Sequence, residues 1–238
     1  MKKCFLMVLL LVFCLSVSAA FAEDKPRLGV LRFTNNTSAG WWSGSTGSDL
    51  QDMLIAELAS MNCFSVLERK EIDAVLGEQN LSASGRVDSR FKAQMGKLKG
   101  AQYLVAATVS AFEEDTSGGG GGLSFKGISI GGKRDKAYMA VDLKVIDVNT
   151  GEIADVRTVE ATAKSGGLAL GFSKSGLGGS LDGYKKTPTG KAIRACVMEI
   201  AEYLECSMVK GKNDGCMQAY NQKESNRREK TKGSIDLE

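Results

Sequence analysis

Two glycine-rich stretches constrain this sequence more than any other feature. The first, Thr116 to Lys136, contains eight glycines, five of them consecutive, and the second, Lys164 to Lys186, contains seven. Each interrupts a strand-like pattern, and the chain resumes as a strand or a helix on the other side. Extended hairpins that project from a sheet would give this arrangement, and so would flexible linkers.

Apolar residues recur at alternate positions inside both stretches. A membrane β-strand needs about 9 to 11 residues with apolar side chains at every second position. A flexible linker predicts no such pattern, but the alternation is short, so composition alone leaves disordered loops and membrane hairpins both open. The apolar positions are Leu123, Phe125, Ile128 and Ile130 in the first stretch, and Leu168, Leu170, Phe172, Leu177 and Leu181 in the second.

The membrane interpretation requires more than one chain. Two hairpins supply only four strands, too few to close a barrel, and every backbone polar group in lipid must be paired. Several subunits must therefore join edge to edge, which implies a homo-oligomeric ring.

The first 22 residues have the pattern of a signal peptide. Lys2 and Lys3 precede an apolar run from Phe5 to about Val17, and Ala20-Phe21-Ala22 gives a cleavage site. The run is shorter than the roughly 20 residues of a spanning helix, which favours export with cleavage. Cys14 lies inside the apolar run after a bulky residue, so lipid modification is not expected.

Composition argues against an enzyme. The absence of histidine excludes a Ser-His-Asp triad, a Cys-His dyad and an imidazole metal site. The net charge of +3 is too small to indicate a nucleic-acid partner. The acidic run Glu113–Asp115 is typical of a solvated strand end or a membrane-interface group, not of a positioned acid and base. No cofactor or metal is expected.

Four cysteines remain after removal of the signal peptide, and export places them in an oxidising compartment. They form no CxxC pair. Cys196 lies on the apolar face of a predicted helix and is expected to be a core residue. Cys206 and Cys216 flank a loop that contains Gly211, and they are a candidate disulfide.

The remaining pattern predicts an α/β (α+β) domain. Ser48 with Gln51 predicts a capping box at the first helix, and a stretch from residue 209 to 238 is expected to be a polar, partly disordered tail. Another helix is predicted from Asp88 to Gly100, with Phe91, Met95 and Leu98 on one face. Strands are predicted at 28–33, 64–67, 103–112, 137–145 and 153–163, and further helices around 72–76 and from Thr189.

Three local sequences resemble the curli secretion channel family, the CsgG-like proteins. They are Val66–Arg69, Ala140–Leu143 and Val145–Ile153, the last of which is similar to the family's V-x-V-x-T-G-E-I signature. The resemblance runs from about Arg27 to Leu204. With it, the chain divides into a signal peptide (1–22), a CsgG-like periplasmic domain (23–208) with membrane-hairpin candidates at 109–141 and 157–186, and the tail (209–238).

The resemblance implies an outer-membrane secretion channel. In that family a ring, commonly ninefold, is built from periplasmic domains, and each subunit lends two hairpins to one transmembrane β-barrel. The channel would pass unfolded polypeptide, such as fibre subunits, from the periplasm to the cell surface by passive diffusion. A periplasmic accessory protein would be a further partner.

The resemblance also implies that the loop between the first strand and the first helix narrows the pore. Trp41 and Trp42 fall in that loop, and Asn35 and Asn36 add polar groups. Neighbouring residues of an extended loop point in opposite directions, so one indole is expected to face the pore and the other to pack on the domain. A collar of indoles would pass an unfolded chain while limiting leakage of solutes.

One departure from the family keeps an alternative open. The familiar channel is a lipoprotein, whereas this sequence has no usable lipid-modification site. The alternative is a soluble periplasmic module that binds cell-envelope proteins without forming a pore. Such relatives need no membrane hairpins, so the glycine-rich stretches favour the channel.

Overall fold

The computed structural model describes residues 24–115, 123–125, 128–130, 136–164 and 187–233. The predicted signal peptide lies outside the described residues. The same holds for the apolar positions of the second glycine-rich stretch, Leu168, Leu170, Phe172, Leu177 and Leu181.

The described residues form eight strands and four α-helices. The strands are β1 (Arg27–Val30), β2 (Thr34–Asn35), β3 (Ser65–Leu67), β4 (Tyr103–Asp115), β5 (Leu123–Phe125), β6 (Ile128–Ile130), β7 (Lys136–Asp147) and β8 (Ile153–Lys164). The helices are α1 (Thr46–Ser60), α2 (Ile72–Ala83), α3 (Pro188–Leu204) and α4 (Gly215–Gly233).

One mixed sheet, in the order β3-β1-β4-β7-β8, organises the domain. β3, β1 and β4 are parallel and are joined by crossover helices, as parallel strands require. β4, β7 and β8 are antiparallel, and β2 adds a short pairing to β4. Between β7 and β8 the turn places Gly151 at a φ of 74°, in the left-handed region that glycine tolerates. The mixed α/β class predicted from the sequence is confirmed.

The core lies between the sheet and two helices, α1 and α3, which pack on the same face and contact each other. Alternate residues of β7, among them Val141 and Leu143, are buried there. Cys196 of α3 is buried as predicted, and this burial raises the pKa of its thiol to about 12. The thiol therefore stays protonated at neutral pH.

The prediction for the start of the first helix was wrong in detail. α1 begins at Thr46, and its Gln51 does not form a capping box: the side-chain amide donates a hydrogen bond of 2.7 Å to the buried carbonyl of Val30. That carbonyl ends β1 and needs a donor. Before α3, in contrast, Thr187 caps the helix by accepting a hydrogen bond of 3.1 Å from the backbone N–H of Gly190.

The helix predicted from Asp88 to Gly100 is absent. This segment contains only a short 3-10 turn, Ser89–Phe91, and Gly96 has a φ of 75° that a helix does not accommodate. The side chain of Phe91 is 76% exposed and that of Met95 57% exposed. A short helix is marginal without a surface to pack on, and the part of the chain that the structure describes offers this apolar face none.

The C-terminal residues form a helix where a partly disordered tail was expected. A π-helical turn, Glu205–Lys210, continues α3, and the structure joins Cys206 and Cys216 in a disulfide with a Cα–Cα distance of 6.1 Å. The disulfide holds the start of α4 against the end of α3, where Met217 is buried.

α4 then runs beside α3 and β8. The rings of Tyr220 and Tyr203 meet edge to face at 5.2 Å, and the Arg157 guanidinium of β8 lies over both. Arg157 also donates a hydrogen bond of 2.6 Å to the backbone carbonyl of Tyr220. Two turns further along α4, Arg227 lies 3.3 Å from the Glu160 carboxylate and also pairs with Glu224.

Candidate functional site

Both glycine-rich stretches leave the domain at the same end of the sheet. Lys136 at the start of β7 is paired with Asp115 at the end of β4 and with Lys164 at the end of β8. Residues 116–135 therefore begin and end at this end of the sheet, and the second stretch begins there too.

The second stretch also returns to this end. Thr189, in the first turn of α3, donates a hydrogen bond of 2.9 Å from its hydroxyl to the Glu114 carboxylate of β4. This hydrogen bond links the first turn of α3 to the end of the β4–β7 strand pair. Four junctions of the chain are therefore gathered at one end of the sheet, which we call the junction end: Asp115, Lys136, Lys164 and Thr187.

The described part of the first stretch is itself a strand pair. β5 and β6 are antiparallel and form a separate two-stranded sheet. Their register pairs Leu123 with Ile130 and Phe125 with Ile128. The four apolar positions predicted for the first hairpin thus occur in cross-strand pairs.

The tryptophan loop, residues 36–45, lies beside the junction end. Trp41 is only 7% exposed, and its ring contacts Phe112 and Trp42 edge to face, with centroid distances of 5.4 and 5.7 Å. Such aromatic pairs add stability beyond the area that they bury. Because Phe112 stands three residues before the end of β4, this aromatic cluster places the loop close to the junction end.

Hydrogen bonds fix the start of the tryptophan loop on β4. The Thr34 and Thr108 hydroxyls are 2.7 Å apart, and the backbone N–H of Asn36 donates to the Val109 carbonyl at 2.9 Å. The Asn35 side chain turns back and accepts a hydrogen bond of 3.0 Å from the Thr37 N–H.

Contacts with the residues that follow β1 also fix the end of the tryptophan loop. The Arg32 guanidinium donates to the Gly44 carbonyl. At Gly47 a Cβ atom would stand 2.3 Å from the Phe33 carbonyl oxygen, so only glycine fits between the strand and α1. The loop is therefore preorganised at both ends.

The structure separates the four predicted constriction residues into two kinds. Trp41 is buried in the core, and Asn35 is engaged by its own loop, so both support the loop's shape. Trp42 is half-buried and Asn36 is exposed, so these two side chains remain accessible from outside the domain. Trp41 is the indole that packs on the domain.

Sequence reasoning missed Phe112 and Glu114 as members of this site. The apolar alternation of β4 runs through Val105 and Val109 and then shifts by one residue to Phe112, and the structure places a bulge there, between Val109 and Ala111. The shift in period was the available signal. Glu114, expected to be solvated, instead accepts the hydrogen bond of Thr189.

The surroundings of Tyr138, near the junction end, favour the neutral form of its phenol. Burial raises the pKa of Tyr138 on β7, and the nearby Glu160 carboxylate adds to the shift. Tyr138 therefore remains an uncharged hydrogen-bonding group at physiological pH.

In the part of the chain that the structure describes, one group of three side chains has metal-ligand spacing: Cys206, Asp214 and Cys216, with ligand atoms within 4.8 Å of one another. Both of its sulfurs belong to the disulfide. Of the helices described, none combines the length and the apolar character needed to cross a membrane.

A family comparison decides the identity of this domain. The family model described as curli production assembly/transport component CsgG matches residues 13–235, which include the sheet, the junction end and α4. The chain belongs to the CsgG family. The resemblance predicted from Val66–Arg69 and Val145–Ile153 is confirmed, and the family extends past residue 208 to include the C-terminal helix.

Two relatives of this CsgG family member show different extents of similarity. A protein of Neisseria meningitidis serogroup B, described as a candidate lipoprotein, is 30% identical over 173 residues, 72% of this chain and 67% of the relative. The CsgG curli production assembly/transport component of Escherichia coli K12 is 28% identical over 105 residues. That match covers 42% of this chain and 38% of the Escherichia coli protein.

A solved structure of a hypothetical protein from Chlamydia trachomatis is similar over 79% of this chain and 100% of its own, with 12% identity and a TM-score of 0.48.

Proposed function

We propose that this CsgG family member is one subunit of an oligomeric outer-membrane secretion channel. The channel passes unfolded polypeptide, such as fibre subunits, from the periplasm to the cell surface by passive diffusion. The gathering of Asp115, Lys136, Lys164 and Thr187 at the junction end is the main support. Two hairpins that both leave the domain at the junction end are suited to enter the same membrane.

The strand count supports a ring. Each chain provides two candidate hairpins, at 109–141 and 157–186, and four strands cannot close a barrel on their own. In lipid the outer strands must find partners on neighbouring subunits. A homo-oligomer, such as a nonamer, meets that requirement.

The tryptophan loop provides the constriction in this proposal. Trp42 and Asn36 are its accessible side chains, and they line the narrow part of the pore. Trp41 packs against Phe112 and holds the loop in place. A loop fixed by Gly47 and by hydrogen bonds at both ends keeps a pore of constant diameter.

The names of the relatives support a place in the cell envelope. One is described as a curli production assembly/transport component and another as a candidate lipoprotein. Because the matched part is 38% of the length of the curli component, the transport of a polypeptide is a proposal for this chain. Export through the predicted signal peptide places the chain in the periplasm and at the outer membrane.

Conductance across planar bilayers tests the proposal. The exported chain, purified in detergent, is expected to form rings and to give discrete single-channel steps. Trp42→Ala should raise the conductance of each channel because it removes a ring of indoles from the constriction. Trp41→Ala is the matched control: it should reduce the free energy of unfolding and leave the step size of the remaining channels closer to that of the native protein.

Absence of conductance from assembled, lipid-inserted protein would contradict the channel. Replacement of residues 166–183 by a short linker then separates the two functions predicted from the sequence. A channel loses membrane insertion with this change. A periplasmic binding module retains its binding to envelope proteins and never conducts.

A further inference from the structure

Basic residues are concentrated at three of the four junctions between the domain and the glycine-rich stretches. Six basic residues lie at or directly beside these junctions in the sequence, against one acidic residue, Asp135. The chain as a whole has a net charge of only +3, so the concentration is local. The six are Lys133, Arg134 and Lys136 at β7, Lys164 at the end of β8, and Lys185 and Lys186 before α3.

The fourth junction, at the end of β4, is acidic. Glu113, Glu114 and Asp115 follow one another there, and the register places Asp115 opposite Lys136 of β7. Two strand spacings, about 10 Å, separate β4 from β8 at the outer border of the sheet. The junction end therefore has an acidic corner at β4 and a basic side at β8.

α4 brings further basic residues to the basic side. Its Tyr220 accepts a hydrogen bond from Arg157 of β8, and its Arg227 is paired with Glu160 of β8. Three residues of a strand and seven residues of a helix both advance by about 10 Å. α4 therefore runs along β8 in the same direction, towards the junction end.

Contacts between α4 and α3 give the same result. Lys223 is paired with Glu199, and Tyr220 contacts Tyr203, so the two helices are antiparallel. Nine residues on from Lys223 and nine residues back from Glu199 the last turn of α4 comes level with the first turn of α3. That turn of α3 contains Thr189, which is bonded to the end of β4.

The lysines gathered on the basic side have no anionic partner in the described part of the chain. Lys164, Lys230 and Lys232 are exposed, and none of them forms an ion pair with a described residue. The register places Lys164 directly opposite Lys136, and like charges in such a pair repel each other. An external anion would relieve this repulsion.

The acidic residues on the same side do not supply the missing charge. Glu160 and Glu224 are both paired with Arg227. The last two turns of α4, residues 227–233, contain four basic residues and one acidic residue, Glu229.

We infer that Lys136, Lys164, Lys230 and Lys232, which we call the basic junction surface, bind the anionic headgroups of phospholipids at the membrane. Lysines close to an anionic bilayer are attracted by its negative surface potential. The four residues come from two strands and a helix, and lysine acts as a point charge without fixed geometry, which suits a layer of headgroups. The inference rests on the proposed channel, whose hairpins bring the junction end to the bilayer.

Vesicle flotation of the exported full chain tests the inference. The chain is diluted from detergent into vesicles of phosphatidylcholine alone or of phosphatidylcholine with phosphatidylglycerol, and the initial rate of association is measured at low and at high salt. The first variant carries Lys164→Gln, Lys230→Gln and Lys232→Gln. A second variant carries arginine at the same three positions and so retains the charge.

The native chain should associate about tenfold faster or more with the vesicles that contain phosphatidylglycerol, and salt should reduce this preference. The glutamine variant should lose most of the preference, and the arginine variant should keep it. A matched control removes three exposed lysines away from the junction end and should behave like the native chain; it carries Lys92→Gln, Lys97→Gln and Lys212→Gln.

Equal association of the native chain with both kinds of vesicle overturns the inference, as does a preference that survives the glutamine variant or is lost in the control. Stronger inhibition by inorganic phosphate than by sodium chloride at equal ionic strength also overturns it, because that result indicates a site for a single phosphate ion. Circular dichroism identifies any variant that has failed to fold.

Single-channel recording separates this inference from the proposed channel. A native chain that prefers phosphatidylglycerol but gives no conductance steps supports the basic junction surface and contradicts the channel. Conducting channels that form at the same rate in both lipids overturn the basic junction surface alone.

Discussion

The two crossover helices of the sheet have the same topological role and opposite surroundings. α1 joins β1 to β3 and buries a stripe of large side chains, including Leu50, Leu54 and Leu58. α2 joins β3 to β4, and among its residues only Ser82 is buried. The core thus holds α1, whereas α2 buries little against the rest of the described residues. Amphipathic spacing alone does not distinguish these cases.

The largest difference is expected from truncating a leucine in each helix. Leu54 is fully buried, so Leu54→Ala should lower the free energy of unfolding by about 3 kcal/mol, through lost burial and a residual cavity. Leu76→Ala in α2 should change it by less than about 0.5 kcal/mol, as at other surface sites. Urea titrations of the monomeric chain followed by circular dichroism measure both, and equal losses would remove the contrast between the helices.

A second test of how the core holds α1 concerns its buried polar residue, Gln51. Gln51→Met keeps the helix but leaves the buried Val30 carbonyl without its donor, at an expected cost of about 2 kcal/mol. Ser48→Ala is the matched change for the capping box predicted from the sequence, and it should be close to neutral. The same urea titration decides between them: a large loss for Ser48→Ala and none for Gln51→Met would support the capping box.

α4 is an intermediate case, because charged groups hold it as well as packing. The Arg227 side chain, with Arg228, lowers the pKa of Glu224 to about 2, from an ordinary value of 4.5. Because both arginines lie on α4 itself, the lowered carboxylate pKa stabilises the helical conformation of α4 above pH 4.5, and this contribution is lost as the pH falls towards 2. Hydrogen exchange of α4 amides should therefore accelerate over that interval before the α1 amides respond.

Glu224→Gln provides the control for that titration. It removes the ionisable group, so the pH dependence of α4 exchange should flatten while α1 is unchanged. A variant with the native pH profile would show that other carboxylates control the stability of α4.

The smallest effect is expected in the exposed connection. Phe91→Ser should leave the free energy of unfolding of the monomer within about 0.5 kcal/mol of the native value, because the ring is exposed. Binding of an apolar dye to the monomer should fall. A substantial loss of stability would show that Phe91 packs inside the domain.

The sequence predicted features that depend on local pattern. The strands predicted at 137–145 and 153–163 correspond to β7 and β8, and the family motifs identified the CsgG family. These features follow from residues near one another in the chain, where side-chain periodicity and turn chemistry are informative.

Features that depend on distant partners were not predictable in this way. Gln51 looked like a cap because the Val30 carbonyl, 21 positions earlier, is not visible in the local pattern. The segment after Asp88 had helical spacing but no surface to pack on among the described residues. At the candidate site, the two indoles were assigned to one loop correctly, but only the contact with Phe112 showed which of them is buried.

The position of α4 affects how much of the edge strand β8 is open to pairing with other chains. Arg157 and Glu160 stand at odd and even positions of β8, so their side chains emerge on opposite faces of the strand. α4 meets both, through Tyr220 and Arg227, and so it lies across the strand's outer border. A long unpaired border attracts stray extended chains and seeds aggregates. The C-terminal helix shields the middle of that border.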